Sequence, residues 1–255
     1  MIHVAAVGDI HFGPDGAGTL APHLEHLNER ADLLLLAGDL TRVGAPDEAR
    51  ALADELAGVE VPMVGVLGNH DYHSDAAGEV TAVLEDIGVT MLEGDSVVVP
   101  VNGSTVGVAG TKGFGGGFVG ACGSEFGEPE MKAFMAHARC LAERLEQALT
   151  ALDTDVKVAL LHYAPCADTL AGERLEIYPF LGCHLLGEAV DRGGATLTVH
   201  GHAHRGTERG LTAGGHHVRN VAQPVIGHAY RLFCLRSDDG ADADPECAVP
   251  ALTGS

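Results

Sequence analysis

The chain has 255 residues, 46% of them apolar, which is enough for one large α/β domain with a buried core. Its formal charge is −21, and its three lysines and twelve arginines are too few to neutralise phosphates, so duplex nucleic acid and anionic membranes are poor partners. No apolar run is long enough to span a bilayer, and the Met1-Ile2-His3-Val4 start is too short and uncharged for a signal peptide, which leads us to expect a cytoplasmic protein.

The elements follow in chain order. Residues 4–7 form a short apolar run that reads as a buried strand, and it ends in Gly8-Asp9-Ile10-His11. A helix is expected over 19–28, and a second strand over 33–36 runs into Gly38-Asp39. Pro46 opens a helix over 46–56, with Gly58 as its stop. The strand at 64–67 leads into Gly68-Asn69-His70-Asp71, and a helix at 79–87, opened by Ser74 or Asp75, closes at Gly88. Such helices are the crossovers that parallel strands need. Residues 97–101 and 105–110 form a hairpin on Asn102-Gly103, a pair that tolerates positive φ.

The glycine-rich stretch 111–129 reads as a loop, and its spacing does not match a phosphate-binding P-loop. After Pro129, the recurrence of Met131, Phe134, Met135, Ala138, Leu141, Ala142, Leu145 and Leu149 predicts a long helix facing the core. A strand at 156–161 ends at His162, followed by a loop over 163–182 and a short helix near 186–192. The strand at 197–199 precedes His200-Gly201-His202-Ala203-His204, and strands at 217–220 and 229–235 close the fold. There is no internal repeat and no linker. Residues 1–236 form one domain, and 237–255 is expected to be a disordered acidic tail. The six cysteines show no paired spacing, so free, inert thiols are expected and no disulfide framework or zinc knuckle is.

Five strand ends therefore carry Asp, Asn or His. In a parallel βαβ sheet, ligands bind outside the carboxyl ends of the strands, so all five clusters converge on one edge. Asp9 and His11 lie two apart on one turn and can face one point; Asp39, Asn69, His162, His202 and His204 come from the other strand ends. One such residue alone reads as a cap or a core hydrogen bond, but no packing need calls for all of them. Carboxylate, amide and imidazole donors suit first-row divalent metals, and there are too many for one tetrahedral ion. Two metals sharing a carboxylate is the economical solution. A pair about 3.5–4 Å apart clamps the attacking and leaving oxygens of an in-line displacement at phosphorus. Of the other histidines, His3, His23, His26, His137, His216 and His217 read as surface or edge residues, and His200 as a partner behind the ligands. His73 and His184 are near enough in sequence to the motifs to touch substrate.

The set Asp9-x-His11, Gly38-Asp39, Gly68-Asn69-His70-Asp71, His162 and Gly201-His202-x-His204 resembles the signature of the calcineurin-like metallophosphoesterases, in order and over residues 9–204. The resemblance implies an α/β fold, a four-layer α/β/β/α sandwich with a dinuclear metal site at the carboxyl ends of the strands. It implies Asp9, His11, Asp39 and His204 on one metal, and Asp39, Asn69, His162 and His202 on the other, with Asp39 bridging. The catalytic residues it implies are His70, protonating the leaving oxygen, and Asp71, orienting or polarising its surroundings. The cofactors are two divalent or mixed-valence metal ions: manganese, iron or zinc, with nickel and cobalt as further options.

Two departures narrow the reading. Phosphoprotein phosphatases of the family carry Gly-Asp-x-x-Asp-Arg-Gly, whereas this chain has Gly38-Asp39-Leu40-Thr41-Arg42-Val43-Gly44, so protein phosphatase activity is not expected. Many relatives have two histidines or His-Pro-Pro in the fourth motif, and here it is Leu161-His162-Tyr163-Ala164-Pro165. Substrate selection is expected from Lys112, Phe114 and Phe118 in the glycine-rich loop, and from Tyr163, Cys166, Arg174, Tyr178 and Phe180 after His162. The expected activity is metal-dependent hydrolysis of a small phosphodiester by a metal-bridging hydroxide. The alternatives are a phosphomonoesterase or nucleotide pyrophosphatase of the same fold and, remotely, a catalytically silent scaffold.

Overall fold

Apolar runs too short for a helix and flanked by turn residues pair here as strands, most of them buried on both faces. The computed structural model describes residues 1–236 and Cys247. In chain order it forms β1 (Ile2–Val7), α1 (Ala21–Leu24), α2 (Leu27–Arg30), β2 (Leu33–Ala37), α3 (Pro46–Leu56), β3 (Met63–Val66), α4 (Ala77–Asp86) and β4 (Val89–Met91). Then come β5 (Asp95–Val101), β6 (Ser104–Thr111), β7 (Gly117–Phe118), β8 (Ala121–Cys122), α5 (Pro129–Ala151) and β9 (Val156–Leu161). The last are α6 (Tyr178–Leu181), α7 (His184–Gly193), β10 (Leu197–His200), β11 (Arg209–Leu211), β12 (His217–Asn220), α8 (Gln223–Ile226) and β13 (Arg231–Leu235).

Two main sheets result, ordered β13-β1-β2-β3-β4 and β11-β12-β10-β9-β6-β5. In the first, β1 to β4 run parallel and β13 closes the edge antiparallel; in the second, β6, β9, β10 and β12 run parallel. The period of two along each strand decides which side chain meets which layer. Val4, Leu35 and Val64 from the first sheet meet Val106, Val158 and Val199 from the second. On the outer face, Ala5, Leu34 and Leu36 pack against Leu27, Leu52 and Leu84 of the helices. Leu145, Leu149, Leu186 and Val190 of α5 and α7 cover Ala109, Ala159 and Leu161 on the other side. The molecule is thus the expected α/β/β/α sandwich, and each fully buried leucine contributes about 1.5–3 kcal/mol of transfer free energy.

The helix expected over 19–28 is broken into α1 and α2, because His26 (φ −99°, ψ 8°) leaves helical geometry between them. The glycine-rich loop carries a small ladder, β7 with β8, that periodicity does not signal. Met131 is exposed at the start of α5, while Met135, Ala138, Leu141, Leu145 and Leu149 form the buried stripe. The tail expected over 237–255 lies outside the described residues, apart from Cys247. That cysteine corrects the thiol expectation: it is joined to Cys234 of β13 by a disulfide, leaving Cys122, Cys140, Cys166 and Cys183 free. The pair is unmarked in sequence because it depends on where the chain returns after β13.

Candidate metal centre

The turns after β1 and β2 are laced together. Asp9 N–H donates to the Gly38 carbonyl (2.9 Å) and His11 N–H to the Asp39 carbonyl (3.0 Å). Asp9 (φ 55°), His11 (φ 45°), Asp39 (φ 47°) and His202 (φ 69°) all occupy the left-handed region, which is unfavourable for residues with a Cβ. Each costs about 1–3 kcal/mol and persists because the surrounding turns fix it. Close approach explains the neighbouring glycines: a Cβ at Gly68 would collide with the Asp39 carboxylate, and one at Gly201 with that of Asp9.

Donor atoms of Asp9, His11, Asp39 and His204 all lie within 4.8 Å of one another, as do those of Asp39, His162 and His202. Asp39 belongs to both groups. His204 Nε2 is 2.7 Å from Asp9 Oδ1, and His162 Nε2 is 3.3 Å from Asp39 Oδ1. Asn69 Oδ1 completes the second group, 3.0 Å from His162 Nε2. Every residue expected as a ligand is therefore in one place.

Backbone carbonyls fix how the imidazoles present themselves, since a carbonyl can only accept. His162 Nδ1–H donates to the Ala37 carbonyl (2.9 Å), which leaves the Nε2 lone pair for the centre. His202 Nε2–H donates to the Phe180 carbonyl (3.2 Å), leaving Nδ1. His70 Nδ1–H donates to the Arg42 carbonyl (2.6 Å), and its partly exposed Nε2 stands 4.0 Å from Asp39 Oδ2. These carbonyls are functional groups that the sequence does not signal, because every residue has one.

Burial drives the His202 pKa down to about 3 and lowers that of His11, so both favour the neutral form that metals bind. Burial also opposes charge on Asp39 and His162, but their mutual attraction prevails: Asp39 is held well below the usual carboxylate range and His162 rises to about 9. The Asp9 hydrogen bond raises His204. Asp9 and Asp39 are almost wholly buried, and among the described residues only histidines form ion pairs with them. His11 Nε2 and His204 Nε2 face each other at 3.4 Å. Such a contact can share one proton at best, whereas a divalent cation satisfies both lone pairs and both carboxylates. The donor set fits two first-row ions.

Asp71 stands elsewhere. It is fully buried and accepts hydrogen bonds from Leu40 N–H, Thr41 N–H, Thr41 Oγ1 and Gly68 N–H. Burial pushes its carboxyl pKa up, with those donors working against the rise. It ties the loops after β2 and β3 together. The Arg42 side chain ties the loop after β2 to the one after β1, donating to the His11 carbonyl (3.1 Å) and pairing with Asp15 (2.5 Å). His200 is buried behind the ligands, with Nε2 2.8 Å from Thr169 Oγ1.

Of the residues expected to select substrate, Lys112, Phe114 and Tyr163 line one cavity, with His137, exposed as expected, at its rim. Phe118 and Tyr178 pack edge to face, Cys166 is buried beside Thr169, and Arg174 and Phe180 are exposed. His184 Nδ1–H donates to the Gly117 carbonyl (3.1 Å), and His73 ends the turn after His70.

The family model for calcineurin-like phosphoesterases matches residues 2–206, and the chain belongs to that family. It is accordingly a metal-dependent phosphoester hydrolase from a family that works with two metal ions. Among solved structures, a phosphopantetheinyl hydrolase from Mycobacterium tuberculosis is similar at 17% identity and TM-score 0.61, over 86% of this chain and 88% of its own. A putative 5'-nucleotidase from Staphylococcus aureus is similar at 18% identity and TM-score 0.55, over 86% of this chain and 48% of its own. A hypothetical protein from Thermus thermophilus reaches TM-score 0.51 at 18% identity, over 86% of this chain and 75% of its own. At such identities the likeness is one of fold. No curated protein matches the sequence. Among the described residues, no helix is long and apolar enough to cross a membrane.

Proposed function

We propose that the protein hydrolyses a small phosphodiester at a dinuclear centre, with Asp9, His11, Asp39 and His204 holding one ion and Asp39, Asn69, His162 and His202 the other. The observation that carries this reading is that Asp39 belongs to both donor groups. Bound there, the ions would neutralise phosphoryl oxygens and lower the pKa of water. Two divalent charges against Asp9, Asp39 and one hydroxide leave about one positive charge, which matches the single charge of a diester better than the two of a monoester.

His70 is the group we assign to proton transfer. Its Nδ1–H is anchored on the Arg42 carbonyl, so the ring is oriented and only Nε2 can reach the leaving oxygen. To give a proton there it must start as the imidazolium. Asp71 acts through the loops it ties, keeping Asp39 and His70 in register.

We place the work in the cytoplasm on small phosphorylated substrates. The Cys234–Cys247 bond is the one observation that favours an oxidising compartment instead.

The test is a substrate series with manganese-, iron-, zinc-, nickel- and cobalt-loaded protein, using aryl and alkyl phosphodiesters, an aryl monoester and a nucleotide diphosphate derivative. His70→Ala should keep its metals and lose about 10²–10⁴-fold in turnover for alkyl leaving groups, with a smaller loss for nitrophenolate, which leaves without a proton. Equal losses across leaving groups would make His70 a binding residue. A monoester preference would overturn the diester assignment.

A further inference from the structure

Beside the candidate metal centre lies a cavity of about 450 Å³. Asn69 lines it, and Tyr163 forms the wall common to both: its ring lies 4.4 Å from that of His202 on one side and bounds the cavity on the other. The space is larger than a phosphate needs, and the rings of Tyr72, Phe114, His137 and Tyr163 share its wall with Glu93 and Arg144. It suits an organic group attached to the phosphorus.

Of the two cations that line the cavity, Arg144 is exposed and Lys112 is buried in the wall. Lys112 is 9% exposed, and its Nζ sits 5.1 Å from the ring centroid of Tyr72, 5.0 Å from Phe114 and 5.5 Å from Tyr163. Its ammonium has three donors, yet the hydrogen bond it makes is a long one, 3.4 Å to the Gly113 carbonyl. Glu93 lines the same cavity and attracts Lys112, but its carboxylate accepts from Thr111 Oγ1 (3.0 Å) and from Lys112 N–H (3.4 Å), and it forms no ion pair with Lys112 Nζ among the described residues. Three aromatic faces attract an ammonium through their π electrons but accept no hydrogen bond from it in the usual sense. A buried lysine held in this way keeps donors available for an acceptor that enters the cavity.

We propose that this cavity is the subsite for the organic arm of the substrate, and that Lys112 is a specificity-determining residue that selects arms carrying an oxyanion, either a carboxylate or a second phosphate. The proposal rests on the phosphodiesterase reading and names its substrate class. In hydrolysis the P–O bond to the leaving arm breaks, the oxygen of water joins phosphorus as its proton passes to solvent, and the leaving oxygen takes a proton from His70, which solvent then restores. Lys112 binds the arm and transfers nothing. An aromatic cage around the cation also explains how a protein of charge −21 can hold a dianionic substrate without a basic surface.

Equilibrium binding tests this independently of turnover. Calorimetry on manganese-loaded protein would compare three benzyl(methyl)phosphinates, whose two P–C bonds cannot be hydrolysed, that carry a 4-carboxy, a 4-phosphono or a neutral 4-carbamoyl group. Wild type should bind at least one anionic probe about tenfold or more tightly than the carbamoyl probe, and which of the two it prefers identifies the oxyanion. Lys112→Met should erase the preference and Lys112→Arg should keep most of it, with Lys112→Gln replacing the methionine variant if that one does not fold. Equal binding of all three probes by wild type overturns the proposal, as does a preference that survives loss of the charge. Failure of the metal-loaded protein to cleave any phosphodiester would instead sink the function while leaving the binding ratio to judge Lys112.

Discussion

Replacing Asp39 by Asn removes one negative charge from a carboxylate that two donor groups share, with almost no change of shape. The amide oxygen can still accept from His70 N–H (2.7 Å in the native centre), so the turn should survive. Losing even an outer partner of a metal ligand weakens binding about 10–100-fold, so losing the ligand itself should cost at least about a hundredfold, or about 2.7 kcal/mol, at each site. Ions present at about a thousand times their Kd stabilise a fold by about 4.1 kcal/mol per site, and a hundredfold weakening leaves about 1.4 kcal/mol. For a domain of this size that corresponds to about 5–11 °C of metal-dependent Tm per site. Metal analysis after desalting, together with melting curves with and without a chelator, should show both ions depleted. Asp15→Asn, an exposed change at the Arg42 ion pair, should leave both in place. Retention of two ions by Asp39→Asn would refute the shared-ligand reasoning, and loss of only one would show that Asp39 does not bridge.

Asp71→Ala would leave the Leu40, Thr41 and Gly68 amides without their acceptor, so it should lower stability by about 3 kcal/mol and Tm by about 6–12 °C; an unchanged melt would show that the clamp contributes nothing. His200 has its pKa pushed down from 6.5 to about 4 by burial, so the unfolded chain takes up its proton first as the solution is acidified. Its contribution is complete above pH 6.5 and declines as pH falls towards 4, by about 3 kcal/mol, and unfolding free energies of wild type minus His200→Gln over pH 4–7 should trace that slope; parallel curves would contradict it. Thiol titration of denatured, unreduced protein should find the four free cysteines, rising to six after reduction, whereas six at the outset would mean that the Cys234–Cys247 bond does not form in the source compartment.

Much of the fold was legible because its signals are local. Runs such as 33–36 and 156–161, bounded by Gly-Asp or His, state both a strand and its end, and Asn102-Gly103 states a hairpin. The broken helix at His26 was not legible, because helical spacing continues from Leu24 to Leu27 across the break. Nor was the ladder of β7 and β8, whose short strands carry no periodicity.

For the centre, the sequence by itself determined which residue types meet, since an Asp, Asn or His at the carboxyl ends of five strands is sufficient to list the donors from Asp9 to His204. Only the tertiary structure decided which face which. Asp9 and His204 are 195 positions apart, and their 2.7 Å contact is set by how two sheets pack. The same packing gave Asp71 its donors on two loops, placed the exposed His137 at the rim of the cavity, and surrounded Lys112 with rings from three separate segments. It also chose the Ala37, Arg42 and Phe180 carbonyls that orient the imidazoles. The physical reason is one of range: propensity and ligand chemistry belong to a residue and its neighbours in sequence, while orientation, burial and the partner of a ring nitrogen belong to whatever the packed sheets bring alongside it.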